Sequence, residues 1–170
     1  MTAKDDFHYP AEPIEVVRLS VRPEWIDYNG HMNVAYYLLA FDKATDPFFD
    51  ELGIGAKSAR EDRAGPFALQ NQIFFMREVR EGDPLRITIQ LIDHDAKKVH
   101  YFLSMYHADK GYLAATLEQI TVFVDLKTRK TRPFTEETRM KVEALMAAHR
   151  DLPLPPQVGA QLGIRRKPGA

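Results

Sequence analysis

No cysteine occurs among the 170 residues. That excludes disulfides, thiolate metal sites and a cysteine nucleophile, and it leaves the redox compartment open. An excess of either charge is also missing: 23 Lys and Arg stand against 24 Asp and Glu, a formal net charge of −1. No global field therefore draws the chain to nucleic acid or to an anionic membrane, and a partner has to be recognised locally. Long apolar runs are absent as well. The run from Val34 to Phe41 is far too short to cross a bilayer. Met1 to Pro13 carries Asp5, Asp6 and Glu12 and has no signal-peptide core. These absences lead to the expectation of a cytoplasmic protein with neither nucleic-acid nor membrane partners. What remains is ordinary globular composition, 45% hydrophobic and 28% charged, at a length that can bury one sizeable core.

No internal repeat or interior linker divides the chain, so one domain is expected over residues 14–151. Residues 1–13 read as a loosely held arm. Residues 152–170, with Pro153, Pro155, Pro156 and the basic Arg165-Arg166-Lys167, read as an extended tail. A short strand is expected from Glu15 to Val21, ended by Pro23. Val34, Tyr37, Leu38, Phe41, Phe48 and Leu52 then fall near 3.6-residue spacing, which predicts a helix. From Val34 to Phe41 it is apolar nearly all round, which implies burial on most sides. Pro47 should kink it or start a second helix, and Gly53 should stop it.

Beyond Gly65 and Pro66 the period changes to two. Strands are expected at Phe67–Met76, Pro84–Ile92, Lys98–His107 and Tyr112–Leu126, and a helix at Thr135–His149. Glu81-Gly82-Asp83 and Asp109-Lys110-Gly111 look like hairpin turns, so the strands on either side of each should be antiparallel neighbours. The class is α+β: a curved antiparallel sheet wrapped around one long central helix, with a C-terminal helix. Strands apolar on both faces, as at Val122 and Phe123, lack helices to cover them. A homo-oligomer, dimer or dimer of dimers, is therefore expected.

The segment Asp27-Tyr28-Asn29-Gly30-His31-Met32-Asn33 precedes the long helix. A helix N-terminus offers unpaired N–H groups and a partial positive charge, which can hold an oxyanion. A carboxylate beside it can take a proton from water or attack a carbonyl. Thioester hydrolysis needs little more, since a thiol of pKa ~8.5 leaves readily as thiolate. Taken locally, the same residues also make a capped turn.

Asp27-x-Asn29-Gly30-His31-Met32-Asn33, followed by Tyr36-Tyr37-Leu38, resembles the signature of hotdog-fold thioesterases. The likeness is to the 4-hydroxybenzoyl-CoA thioesterase superfamily, to plant acyl-carrier-protein thioesterases, and to a bacterial branch associated with carnitine and betainyl-CoA breakdown. It extends through Leu52-Gly53, through Arg77 to Arg86, and through Ala115-Thr116-Leu117-Glu118-Gln119. The resemblance implies a hotdog fold and hydrolysis of an acyl-CoA thioester, with no cofactor, coenzyme A being part of the substrate. It makes Asp27 the base or nucleophile and Asn29 and His31 groups that polarise or position the thioester. Gly30, Met32, Asn33 and Tyr36 become substrate-binding, with backbone N–H groups near His31 to Asn33 as the oxyanion hole. A hotdog enoyl-CoA hydratase and a non-catalytic acyl-CoA-binding module are the alternatives.

One of Glu118 and Gln119 should point into an apolar layer. Glu118 is either a second acid that orients water or the ion-pair partner of an arginine such as Arg77 or Arg86. Gln119 and Asn71, the latter sharing a face with Leu69, Ile73 and Phe75, are candidates to line the acyl pocket. The six histidines show no ligand-like grouping, so no metal site is expected. Lys127 to Arg132 is a basic run that reads either as a solvated turn or as a meeting point for the coenzyme A phosphates.

Overall fold

The computed structural model describes residues 7–164. The chain runs through β1 (Ile14–Ser20), a 3-10 turn (Pro23–Trp25), α1 (Val34–Leu52) and α2 (Ala56–Glu61). It continues through β2 (Ala64–Phe75), β3 (Pro84–His94), β4 (Lys98–His107), β5 (Leu113–Asp125) and α3 (Glu136–His149). All strand pairs are antiparallel, in the order β1-β3-β4-β5-β2. The sheet carries α1 on one face, the hotdog arrangement expected from the sequence.

α1 begins where Asn33, extended at φ −67° and ψ 145°, caps Ala35 N–H through its side chain at 3.0 Å. It ends where Gly53 turns left-handed at φ 76°, and Ile54 N–H closes on the Phe49 carbonyl. The helix is continuous through Pro47, whose ring replaces one N–H, instead of breaking there. Ala40, Phe41, Ala44 and Leu52 are fully buried. Phe48 and Phe49 pack on Tyr101 of β4 at centroid distances of 5.5 and 5.9 Å. Each such side chain removed from water contributes roughly 1.5–3 kcal/mol.

Three expectations are corrected. First, α1 is not covered all round: Val34, Leu38 and Leu39 are exposed. Second, the turn at Gly82 does not join neighbouring strands, because β2 lies at the sheet edge and pairs with β5 alone. Gly82 N–H and the Asp83 carbonyl bond instead to Val21, just past β1, so residues 76–83 form a crossing rather than a hairpin. Third, a register shift between Ala68 and Gln70 makes Leu69 a bulge and removes it from the face of Asn71, Ile73 and Phe75.

The tail is bound to the sheet as far as Gly159. Cross-strand pairing aligns Gln90, Phe102, Glu118 and Gln72 in one row on the face away from α1. The Pro153 carbonyl accepts a 3.4 Å contact from Gln90, and Gly159 N–H donates to Glu118 at 2.8 Å. The chain's own tail thus lies along this row, and Phe102 is 2% exposed. Val122 and Phe123 are likewise buried within one chain, so they are not the surface that calls for a partner. Residues 165–170, with Arg165-Arg166-Lys167, and residues 1–6 lie outside the described part.

Candidate active site

Asp27 to Asn33 fold into a tight reversal before α1. Asp27 N–H donates to the His31 carbonyl and Gly30 N–H to the Asp27 carbonyl, with Gly30 left-handed at φ 78°. One oxygen of the Asp27 carboxylate accepts Asn29 N–H at 2.8 Å. The other lies 3.5 Å from the side-chain N–H of Asn33, the limit of a hydrogen bond. Asp27 is half-buried, whereas Tyr28, Asn29 and Gly30 are exposed. Asn33 therefore links the helix cap to the carboxylate, with its oxygen on Ala35 and its nitrogen toward Asp27.

The expected oxyanion donors need correction. Met32 N–H donates to the Val79 carbonyl at 2.9 Å, and Asn33 N–H to the Trp25 carbonyl at 2.8 Å. The Ala35 and Tyr36 N–H groups are taken by the side chain and carbonyl of Asn33. Among the described residues, the N–H groups of His31 and Val34 have no acceptor. Both residues line a cavity of about 250 Å³, together with Met32, Tyr37, Phe75 and Glu78. Tyr37 meets Phe75 edge to face at 5.1 Å, and burial pushes its phenol pKa up, so it stays protonated.

His31 contributes one side of this cleft, with Nδ1 3.2 Å from the Met32 carbonyl. Asp27 and Asn29 are not on its lining; they stand on the turn that carries His31. Met32 is buried at 1% exposure and anchors the turn to the 76–83 crossing. Tyr36 stacks on Trp25 at 5.7 Å and shapes the flank of the turn. Phe75, Met76, Arg77 and Glu78 were not among the residues expected to form the site. Their signal was the apolar Phe74-Phe75-Met76 at a strand end, where Phe75 and Met76 are each 50% exposed.

The other candidates lie elsewhere. Gln119, and not Glu118, faces α1. Its amide donates to Tyr101 Oη at 2.6 Å and to Thr121 Oγ1 at 3.1 Å, a satisfied group beneath Phe48 and Phe49. Glu118 points to the opposite face of the sheet, where its oxygens contact His100 Nε2 and Gly159 N–H, both at 2.8 Å. Its partner is thus a histidine on β4 and the tail, not Arg77 or Arg86. Asn71 is exposed opposite Gln119 on β2, away from the cleft. The basic run closes a turn after β5, at the far end of β2 from Phe75. There the Asp125 carboxylate accepts the Lys127 and Thr128 N–H groups, and Arg129 stacks over Phe67. Among the described residues no group of three or more His, Asp or Glu could hold a metal ion.

An antiparallel sheet carrying one long helix, with a polar turn at the helix start, defines a hotdog-fold protein. The profile of the thioesterase-like superfamily matches residues 21–161, and the chain belongs to that superfamily as a thioester hydrolase. It is similar to the betainyl-CoA thioesterase of Pseudomonas aeruginosa, 38% identical over 144 residues that cover 85% of this chain and 91% of that protein. It is also similar to the L-carnitine dehydrogenase/betainyl-CoA thioesterase of Rhizobium meliloti. There the identity is 29%, over 91% of this chain and 31% of the longer protein. A Staphylococcus aureus protein solved in complex with CoA superposes with a TM-score of 0.83 at 25% identity, covering 90% of this chain and 97% of that one.

Proposed function

We propose that the protein is a cytoplasmic acyl-CoA thioesterase whose acyl group enters the cleft between the start of α1 and the end of β2. The observation that carries this reading is that His31 and Val34, whose N–H groups have no acceptor among the described residues, both line an apolar cleft directly after the turn that fixes Asp27. A thioester carbonyl set against those two donors would have its oxyanion held in the transition state. Asp27 serves as base toward water or as nucleophile, Asn33 orients its second oxygen, and His31 positions the thioester. The leaving thiolate needs little acid assistance.

The acyl group is proposed to be small and cationic, as in betainyl-CoA. The relatives carry that name, and the cleft offers the rings of Tyr37 and Phe75. Aromatic faces attract a quaternary ammonium. The working unit is proposed to be a dimer paired through β2. That edge strand is hydrogen-bonded on one side only and exposes Phe67, Leu69 and Phe75. Val34 and Leu38 extend the same apolar surface along α1.

A panel of short, branched, aromatic, long-chain and betainyl thioesters, followed by free-thiol release, tests the reading. Betainyl-CoA should give the highest kcat/KM. Release from none of them would refute it, as would loss of enoyl absorbance without thiol release when an enoyl-CoA is supplied.

A further inference from the structure

The tail does not stop on its own sheet. It starts over β3, where Pro153 meets Gln90, and passes Glu118 of β5 at Gly159. It arrives at β2 with Gln161, Leu162 and Gly163, which share with residues 70–75 of that strand a cavity of about 790 Å³. β2 is the last strand of the sheet. Beyond it the described residues offer the tail no further strand to lie on, yet here it turns apolar: Leu162 is 100% exposed and Ile164 85%. The tail is held at Gly159, because Glu118 receives its N–H while His100 holds the other Glu118 oxygen. A segment so anchored brings its apolar residues beside the edge strand.

We propose that the C-terminal tail is a dimerisation clasp, which crosses β2 and lays Leu162 and Ile164 against the outer sheet face of a second copy of this chain. The proposal rests on the β2-paired dimer put forward above. In that dimer the second copy's sheet continues the first across the edge, so its outer face lies directly in the path of the tail. The cavity between tail and β2 is lined by residues of that edge strand. The interface thereby gains two aliphatic anchors beyond the strand pairing, and each subunit contributes one clasp under two-fold symmetry. Such an interface also ties the dimer to the Glu118–His100 pair, because loss of that anchor frees the strap that carries both apolar residues.

Sedimentation velocity over a dilution series tests this with three proteins: full-length chain, Leu162→Asp/Ile164→Asp, and Leu69→Asp. Both tail positions are exposed in the single chain, so the double variant keeps its fold, as its circular dichroism should show. The expected result is a dimer dissociation constant at least about tenfold higher for the tail variant, since one buried aliphatic side chain is worth about that factor. An unchanged constant for the tail variant, with Leu69→Asp dissociating, overturns the clasp alone. A monomeric full-length protein, or a Leu69→Asp dimer as tight as wild type, overturns the edge-paired dimer and the clasp with it.

Discussion

Two carboxylates, Asp27 and Glu118, stand beside apolar structure and look equally able to do chemistry. Glu118 sits in mid-strand, where neighbours are imposed by register: β4 supplies His100, and the returning tail supplies Gly159 N–H, so both oxygens are occupied. Asp27 sits on a turn whose shape its own backbone makes. Only one oxygen has a short bond, at 2.8 Å, and the other keeps a loose 3.5 Å contact. The difference shows how position in the fold assigns work. A carboxylate enclosed by a sheet and a strap becomes a fastener, whereas one on a turn before a helix stays available beside unpaired N–H groups.

The contrast can be sharpened at the cleft itself. Phe75→Ala opens the wall that Tyr37 packs against, so KM for the best substrate should rise roughly tenfold while kcat changes less, the pattern of lost uniform binding. Steady-state kinetics decide; an unaffected KM would move the acyl group out of this cleft. Next in size, Glu118→Gln should cost about 1–2 kcal/mol, because a charge-assisted contact to His100 or Gly159 is weakened. Its kcat should stay within about threefold of wild type, far from the loss of ~100-fold or more that removing a general base brings. Chemical unfolding beside turnover checks this, and a collapse of kcat without loss of stability would make Glu118 a reacting group after all.

The smallest effect concerns pH. His149, buried at the end of α3, accepts Leu91 N–H at Nδ1, and burial holds its pKa below the ordinary value. The folded state thus takes up a proton less readily than the unfolded chain, whose histidine titrates near ~6.5. This contribution is fully favourable above about that pH and is lost as the pH falls below it. The melting temperature should drop between about pH 7.5 and 5.5, and His149→Gln should flatten part of that fall. An identical pH dependence in the variant would remove His149 as its source.

Much of this was legible because it is local. The Asx-turn residues, the Asn33 cap, the Gly53 stop and the period-two strands are each written within a few positions. Strand order was not, since the turn at Gly82 looks like a hairpin until Val21 is seen to take its hydrogen bonds. The face of Glu118 was ambiguous because both of its alternation series are apolar, and only pairing with Phe102 on one side and Gln72 on the other settles it. The short helix α2 carries no apolar stripe to announce it. The cleft wall at Phe75 to Glu78 comes from a crossing that is distant in sequence from the turn it faces.

Asp27→Asn addresses the contrast between the two carboxylates most directly. Asn keeps the size of Asp and can accept Asn29 N–H, so the turn survives while the basic electron pair is removed. The account predicts a folded protein with an unchanged melting temperature, a kcat lowered by roughly a hundredfold or more, and little change in substrate affinity. A folded Asp27→Asn protein that keeps most of its kcat would contradict the account and leave Asp27 as the turn-former its hydrogen bonds alone describe.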